Sequence, residues 1–277
     1  MTGSMTIGVI LAAMAVVALL ESAIPLRPRG RWHRAHIGPN LALTFLTFAT
    51  NFLYNAGLVE VLGWSETHRA GLLHRLPLGP RAALVFAIPV LDFSFYVAHV
   101  AMHRIPALWR FHRVHHSDPA VDVTTTIRQH PGEGIIRYAF MAAFAIPLGP
   151  TPGAFAVYRV WSVANGLLEH AHIRVPLWLD RMLSLVTTWP GMHKVHHSRA
   201  AHETNTNYGN IFSLFDRVFC TFTPAARGRD IVYGLDAFDD PATQTTAGLL
   251  ALPFRETTAS RRSAGVATPA RARAAAS

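Results

Sequence analysis

Cysteine is nearly absent. Cys220 is the only one in 277 residues, which excludes an internal disulfide framework and any cysteine-based zinc or iron–sulfur site. As a lone thiol it is expected to pack as a small apolar residue. Lysine is equally scarce: Lys194 stands alone, so the formal net charge of +9 rests on arginine. Charged residues make up 15% of the chain, against about 25% in soluble globular domains. With 51% hydrophobic residues, the chain is short of water-facing surface. Its basic residues fall between apolar stretches and form no continuous stripe, which argues against a nucleic-acid partner and for anionic lipid headgroups. No Gly-x-Gly-x-x-Gly follows a strand, and there is no haem-attachment sequence, so redox chemistry would need electrons from outside.

Long apolar runs are what the chain does have. Residues 5–26 are long enough to cross a bilayer core, which takes about 20 residues. They lack the basic leader and small-residue cleavage site of a signal peptide, so a retained span is expected. Further apolar stretches cover 41–63 (interrupted by Asn51, Asn55 and Glu60), 82–103 and 135–168. The last is broken by "PLGPTPG" at 147–153, which predicts a helical hairpin that enters the membrane and returns. Arg27, Arg29, Arg31 and Arg34 follow the first run and place 27–40 in the cytoplasm, although Arg69, Arg75 and Arg81 in the 64–81 loop weaken the asymmetry. Counting spans from there puts 104–134 and 169–277 on the same cytoplasmic side. The expected fold is an all-α membrane protein. It has about four transmembrane or re-entrant helices and a cytosolic, histidine-rich helical cap. Residues 1–81 form N-terminal spans, 82–224 a catalytic domain, and 225–277 a C-terminal segment. That segment loses periodicity past Tyr233 and is expected to be disordered from about 255.

Histidine carries the chemical signal. "HRVHHS" at 112–117 and "HKVHHS" at 193–198 share the spacing His-x-x-His-His. With 16 His in 277 residues, composition alone predicts about 0.05 such triplets, and two are present. On a helix, His112 neighbours His115 and His116 at i+3 and i+4, and His193 neighbours His196 and His197 in the same way. Adjacent rings point about 100° apart and can address two different ions. His99 and His103 in "HVAMH" add an i, i+4 pair on the third span, with Asp92 and Tyr96 on the same face as candidates to line a substrate pocket. Eight imidazoles exceed one zinc site and suit a two-metal centre. Iron, copper, zinc and nickel all accept imidazole. His130, His170 and His172 are further candidate ligands. Asp118, Asp122, Glu133, Glu169 and Glu203 lie close enough in sequence to orient ring N–H groups or to ligate. His33, His36, His68, His74 and His202 lack paired spacing and read as surface or headgroup residues.

"HVAMH", "HRVHHSDPAVDVTTTIRQHPGE" and "MHKVHHSRAAHETNTNYGNIFSLFDRVF" together resemble the integral-membrane fatty acid hydroxylase/sterol desaturase superfamily, from about Phe86 to Phe222. The resemblance implies a non-haem di-iron centre on the cytosolic face of a membrane, here expected to be a bacterial inner membrane. It also implies O₂-dependent hydroxylation or desaturation of a lipid C–H bond with two supplied electrons. By motif match, His99, His103, His112, His115, His116, His193, His196 and His197 would ligate two iron ions, and His130 and His170 match weaker ligand positions. Many such proteins have Asn two residues past His170, where this chain has His172. The electron donor would be a separate ferredoxin-, cytochrome b5- or reductase-type protein, drawn to Arg104, Arg110, Arg113, Lys194 and Arg199. A hydroxylase, a sterol-type desaturase and an ether-lipid monooxygenase are open within this class. A histidine-rich metal transporter and a non-catalytic metal-binding protein are the alternatives outside it.

Overall fold

The computed structural model describes residues 3–225 and 230–255. The disorder expected from about residue 255 therefore falls almost wholly outside the described residues. Five long helices dominate: α1 (Gly3–Ala23), then, after the single turn α2 (Trp32–Ala35), α3 (Ile37–Thr67), and, after another turn α4 (Leu72–Arg75), α5 (Pro80–Arg104). Helix α6 (Pro106–His116) follows directly, then a 3₁₀ turn at Val123–Ile127, and then the hairpin α7 (Pro131–Leu148) and α8 (Pro152–His170). Short helices complete the chain: α9 (Leu177–Leu183), α10 (Pro190–His196), α11 (Ala201–Thr204), α12 (Leu214–Val218) and α13 (Thr246–Ala251). Among the described residues, extended pairing is confined to three isolated bridges.

Proline sets the helix starts. Pro80, Pro106, Pro131, Pro152 and Pro190 each open a helix, where the missing N–H costs nothing and the fixed φ is already helical. Proline also drives the residue before it out of the helical region. Ile105 is accordingly extended (φ −99°, ψ 113°), which ends α5 and turns α6 back against it. The same device separates α7 from α8, where Gly149 takes a left-handed conformation (φ 68°) and Thr151 caps α8 by accepting from Ala154 N–H. At that turn the backbones of Gly71 and Gly149 touch. A Cβ on Gly149 would lie 2.7 Å from the Ala70 carbonyl, so only glycine fits.

Helices α3, α5, α7 and α8 pack around a core of Leu58, Leu62, Ile88, Leu91, Met141, Phe155 and Tyr158. Burying each such side chain contributes about 1.5–3 kcal/mol. Helix α1 lies on α8 through Met14, Val17 and Leu167. Their outer faces are also apolar. Leu19, Phe52, Leu53, Val85, Phe86, Ile135 and Val160 are all exposed, a surface that suits lipid and not water. The segment Trp32–Arg75 and helix α5 are long and apolar enough to cross a bilayer. The chain is thus an all-helical, membrane-associated protein with two candidate spans, a coarser result than the four read from sequence. At 31 residues α3 is about 46 Å long, more than the roughly 30 Å hydrocarbon core.

Up-and-down connectivity brings the start of α3, the end of α5, the start of α7 and the end of α8 to one end of the bundle, and α6 and α10 cover that end. The C-terminal segment does not trail away past Tyr233. Phe238, Leu249 and Leu252 pack on Leu43 of α3 and Val114 of α6, and Arg113 donates to the carbonyls of Leu252 and Arg255. Residues 231–255 therefore seal α6.

Candidate metal centre

The turn at Ile105–Pro106 lays α6 alongside the end of α5, so that Nε2 of His99 lies 3.1 Å from Nε2 of His112 and Nε2 of His103 lies 3.2 Å from Nε2 of His116. His170, at the end of α8, brings its Nε2 to 3.0–3.2 Å from those of His115, His193 and His197. Nine rings gather into two groups. One holds His99, His103, His112, His116 and His196; the other holds His115, His170, His193 and His197. Within each group the donor atoms all lie within 4.8 Å of one another.

Each His-x-x-His-His phrase is divided between the groups. His112 and His116 join the first and His115 the second, whereas His193 and His197 join the second and His196 the first. Helical geometry explains this: i, i+4 neighbours share a face, and the intervening ring points about 100° away.

Hydrogen bonds settle which nitrogens face inward. Nδ1–H of His99 donates to the Tyr208 carbonyl (2.8 Å), that of His196 to the Thr206 carbonyl (2.7 Å), and that of His112 to Glu133 (3.0 Å). His103 donates to Asn205 Oδ1 (3.3 Å), and His116 to Thr204 Oγ1 (3.3 Å), whose own proton goes to the His196 carbonyl. In the second group, His170 donates to the Gly166 carbonyl (2.8 Å). With the proton on Nδ1, each Nε2 carries a lone pair. Five lone pairs therefore converge in the first group, and Nε2 of His196 is buried without a hydrogen-bond partner among the described residues. Lone pairs 3 Å apart repel, and a cation between them turns that repulsion into coordination. Burial, followed by the crowding of neighbouring imidazoles, pushes His115, His116, His193 and His197 well below the ordinary histidine range, and His196 down to about 3. The rings stay neutral, as metal ligands must be. The residues fit a pair of metal ions.

A family model described as fatty acid hydroxylase matches residues 84–221, about half of the chain, and that span contains all nine clustered histidines. The chain belongs to the fatty acid hydroxylase family. It is 32% identical over 155 residues to an alkylglycerol monooxygenase of Caenorhabditis elegans, covering 54% of this chain and 29% of that protein. It is 30% identical over 139 residues to an ornithine lipid hydroxylase of Rhizobium tropici (50% and 41%), and 27% identical over 144 residues to the human alkylglycerol monooxygenase (52% and 31%). The match spans less than half the length of each of these relatives. No solved structure matches the chain.

Several expected site residues of this fatty acid hydroxylase-family chain lie elsewhere. His130 joins neither group. It caps α7, accepting from Gly132 N–H on Nδ1, while Nε2 donates to the Leu250 carbonyl. His172 donates to the Arg27 carbonyl. Asp118 and Asp122 do not orient clustered rings. Both face His36, Asp118 at 3.0 Å from Nδ1 and Asp122 at 3.1 Å from Nε2. His36 is therefore no headgroup residue but fully buried. Glu203 accepts from Ser198 Oγ. Asp92 accepts from the backbone N–H groups of Ile211 and Phe212, which makes it an anchor for that loop. Tyr96 donates or accepts at Thr221 and sits among Phe93, Phe215 and Phe219. The expected basic face is also smaller than the sequence implies: Arg113 and Lys194 are buried, Lys194 donating to the His170 carbonyl, and Arg199 pairs with Asp239 at 2.6 Å. Cys220 is exposed and does not pack in the core.

Glu133 does sit where an orienting carboxylate is expected, fully buried between His112 and Arg137 (2.7 Å). Replacing it with Gln keeps the shape and removes the charge that holds the His112 proton on Nδ1. Metal affinity of the first group is expected to fall about 10–100-fold, measured by competition with a chelator.

Proposed function

We propose that this chain is a lipid oxygenase: with O₂ and two externally supplied electrons it hydroxylates a C–H bond of a membrane lipid at a di-iron centre. The observation that carries the reading is the pair of all-imidazole clusters, welded into one unit by the two divided triplets. His99, His103, His112, His116 and His196 would hold one iron, and His115, His170, His193 and His197 the other. Iron held in this way supplies the binding and reduction of O₂ that attack on an unactivated C–H bond requires. The chain's own residues do the rest. The Tyr208, Thr206 and Gly166 carbonyls and Glu133 fix the tautomer and direction of their rings. Burial of every clustered ring except the half-buried His103 keeps bulk water from the reacting site.

The aromatic group around Tyr96 supports an apolar substrate. Phe93, Phe215 and Phe219 surround the Tyr96 ring, and Tyr208 bridges from Tyr96 to His99 (ring centres 6.2 and 5.6 Å). An alkyl chain entering from the bilayer would pass along this wall toward the irons. The names of several relatives, alkylglycerol monooxygenases, favour an ether-linked lipid as substrate and hydroxylation over desaturation. Location of the clusters at one end of the bundle supports an enzyme over a transporter, whose ligands lie near mid-span; Arg27, Arg29, Arg31 and Arg34, just before α3, support a cytoplasmic face for that end, in what we take to be a bacterial inner membrane. Electrons would come from a ferredoxin-, cytochrome b5- or reductase-type protein. Lipid extracts of cells expressing the chain, compared with cells expressing His196→Ala, test the reading. An oxygenated lipid present only with the unaltered chain is expected, and identical profiles would count against it.

A further inference from the structure

Six large apolar side chains stand out on the short elements that follow α8. Trp178, Met182, Leu185, Val186, Leu214 and Val218 are each 55–66% exposed. They belong to one surface. Ser213 N–H donates to the Val186 carbonyl, and Ser213 Oγ and Arg217 both donate to the Ser184 carbonyl, which ties α9 and the turn after it to α12. The charges around it are one-sided. Across residues 172–220 the three carboxylates, Asp180, Glu203 and Asp216, are all buried, while Arg174 and Arg181 are exposed. Exposed acids lie instead on the C-terminal segment, at Asp236 and Asp240. An apolar face with arginines near it and no exposed acid suits an anionic membrane surface better than water.

This face is continuous with the lipid-facing side of the bundle. Phe219 stacks on Phe93 in the middle of α5 (ring centres 5.8 Å), and Phe212 meets Trp161 in the middle of α8 (5.7 Å), beside exposed Val157 and Val160. Phe93 lies six residues before His99, or about 9 Å along the helix. The loops around α12 therefore reach down from the histidine clusters along the apolar part of the bundle. Irregular backbone at that depth needs its polar groups satisfied by protein. The long helices supply the partners. Asp92 accepts from the N–H groups of Ile211 and Phe212, and Asn165 donates to the carbonyls of Thr188 and Asn210.

We infer that α9, the turn after it and α12 form a membrane-docking surface, additional to the two candidate spans, whose apolar side chains sink into the acyl region beneath anionic headgroups. Arg174 and Arg181 lie where their stems can run along apolar surface and their guanidinium groups can meet headgroup phosphates. Docking there lays the aromatic group around Tyr96 against lipid and holds the histidine clusters at a fixed height above the acyl chains. The seating depends on this surface alone and not on the reaction at the metal centre.

Spin labels on the full chain, in vesicles of phosphatidylcholine and phosphatidylglycerol, test this. In a Cys220→Ser background, one cysteine at a time is introduced and labelled: Val186→Cys, Val218→Cys, Val85→Cys on the outer face of α5, and Asp236→Cys on the acidic side of the C-terminal segment. All four positions are exposed, so the fold is expected to tolerate each change. Collision of the label with O₂, which concentrates among acyl chains, is compared with collision with a water-soluble nickel chelate. The ratio at 186 and 218 is expected to match that at 85 and to exceed that at 236 at least about tenfold. Wild-type protein labelled on its own exposed Cys220, next to Phe219, needs no substitution and is expected to give a ratio nearer to that at 85 than to that at 236. Ratios at 186 and 218 equal to that at 236 would overturn the docking surface. So would label–label broadening at both positions that disappears on dilution with unlabelled chain, because it would mark a contact between two copies.

Discussion

His115→Ala and His116→Ala, neighbours in the chain, are expected to empty different metal sites. Each variant should retain about one iron where wild type is expected to hold about two, and each should lose more than about 100-fold of its product formation. The reason is the path of α6. The His115 ring meets His170, and the His116 ring meets His103, at 3.2 Å in both cases. The second triplet extends the prediction with the pattern reversed. His197→Ala should give the spectrum of His115→Ala, because both rings belong to the second group, and His196→Ala should give that of His116→Ala. Iron analysis with Mössbauer spectroscopy on the four variants checks this crossed pairing. Four identical spectra would mean that the triplets are not divided.

Asp118→Ala is expected to cost more stability than any other single change outside the clusters. Its fully buried carboxylate accepts from His36 (3.0 Å), Asn40 (2.8 Å), Thr125 (2.8 Å) and Ala120 N–H (3.1 Å). Beside it, buried Arg128 donates to Asn40, Ser117, Gln244 and the Val114 carbonyl. This network joins α3, the end of α6 and the C-terminal segment. Without Asp118, His36 and Arg128 are left as neighbouring groups with no shared anion, and a loss of about 3–5 kcal/mol follows. That is a large share of a typical total of about 5–15 kcal/mol. Thermal inactivation in detergent measures it, with Asp118→Asn expected to be milder. The same network gives a pH dependence. Burial alone would raise the Asp118 carboxyl, but the opposing His36 and Arg128 charges outweigh it and hold the group well below the usual carboxylate range. Asp122 is lowered for a related reason, burial opposed by its bond to His36. For a depressed carboxylate the stabilisation is fully present above the unfolded value of about 4 and is lost as pH falls below it. The stability difference between wild type and Asp118→Asn, which isolates this network from the clustered histidines, should hold steady from neutrality down to about pH 5 and shrink below about pH 4.

Much of the architecture was legible because it rests on local rules. The five prolines mark five helix starts, the "PLGPTPG" break marks the hairpin, and the doubled triplet marks the helices that carry the clustered histidines. Division of each triplet between two groups follows from 100° per residue. What stayed hidden depends on which partner a side chain meets across the fold. His130 looks like a ligand in sequence, but the residue before Pro131 opens α7, and a helix start recruits its ring as a cap. Asp118 and Asp122 are close to His116 in the chain, yet the loop after α6 turns them toward α3. Nothing in their spacing reveals this turn. His36 did leave a trace. His36, Asn40, Thr44 and Thr47 recur at helical spacing along an otherwise apolar segment, the mark of a buried polar stripe, and all four are buried. The carbonyls that fix the ring tautomers belong to Tyr208, Thr206 and Gly166, where any side chain would serve, so no residue type announces them.

The most direct test of lipid oxygenation at this centre is isotopic. The iron-loaded full chain, in vesicles containing ether-linked and ester-linked lipids, is reduced chemically and given O₂ made of the heavy isotope. One heavy oxygen atom in a hydroxylated lipid, and none when His115→Ala replaces the wild-type chain, is the result expected here. Iron-loaded wild-type protein that consumes O₂ without placing a heavy atom in any lipid would contradict it.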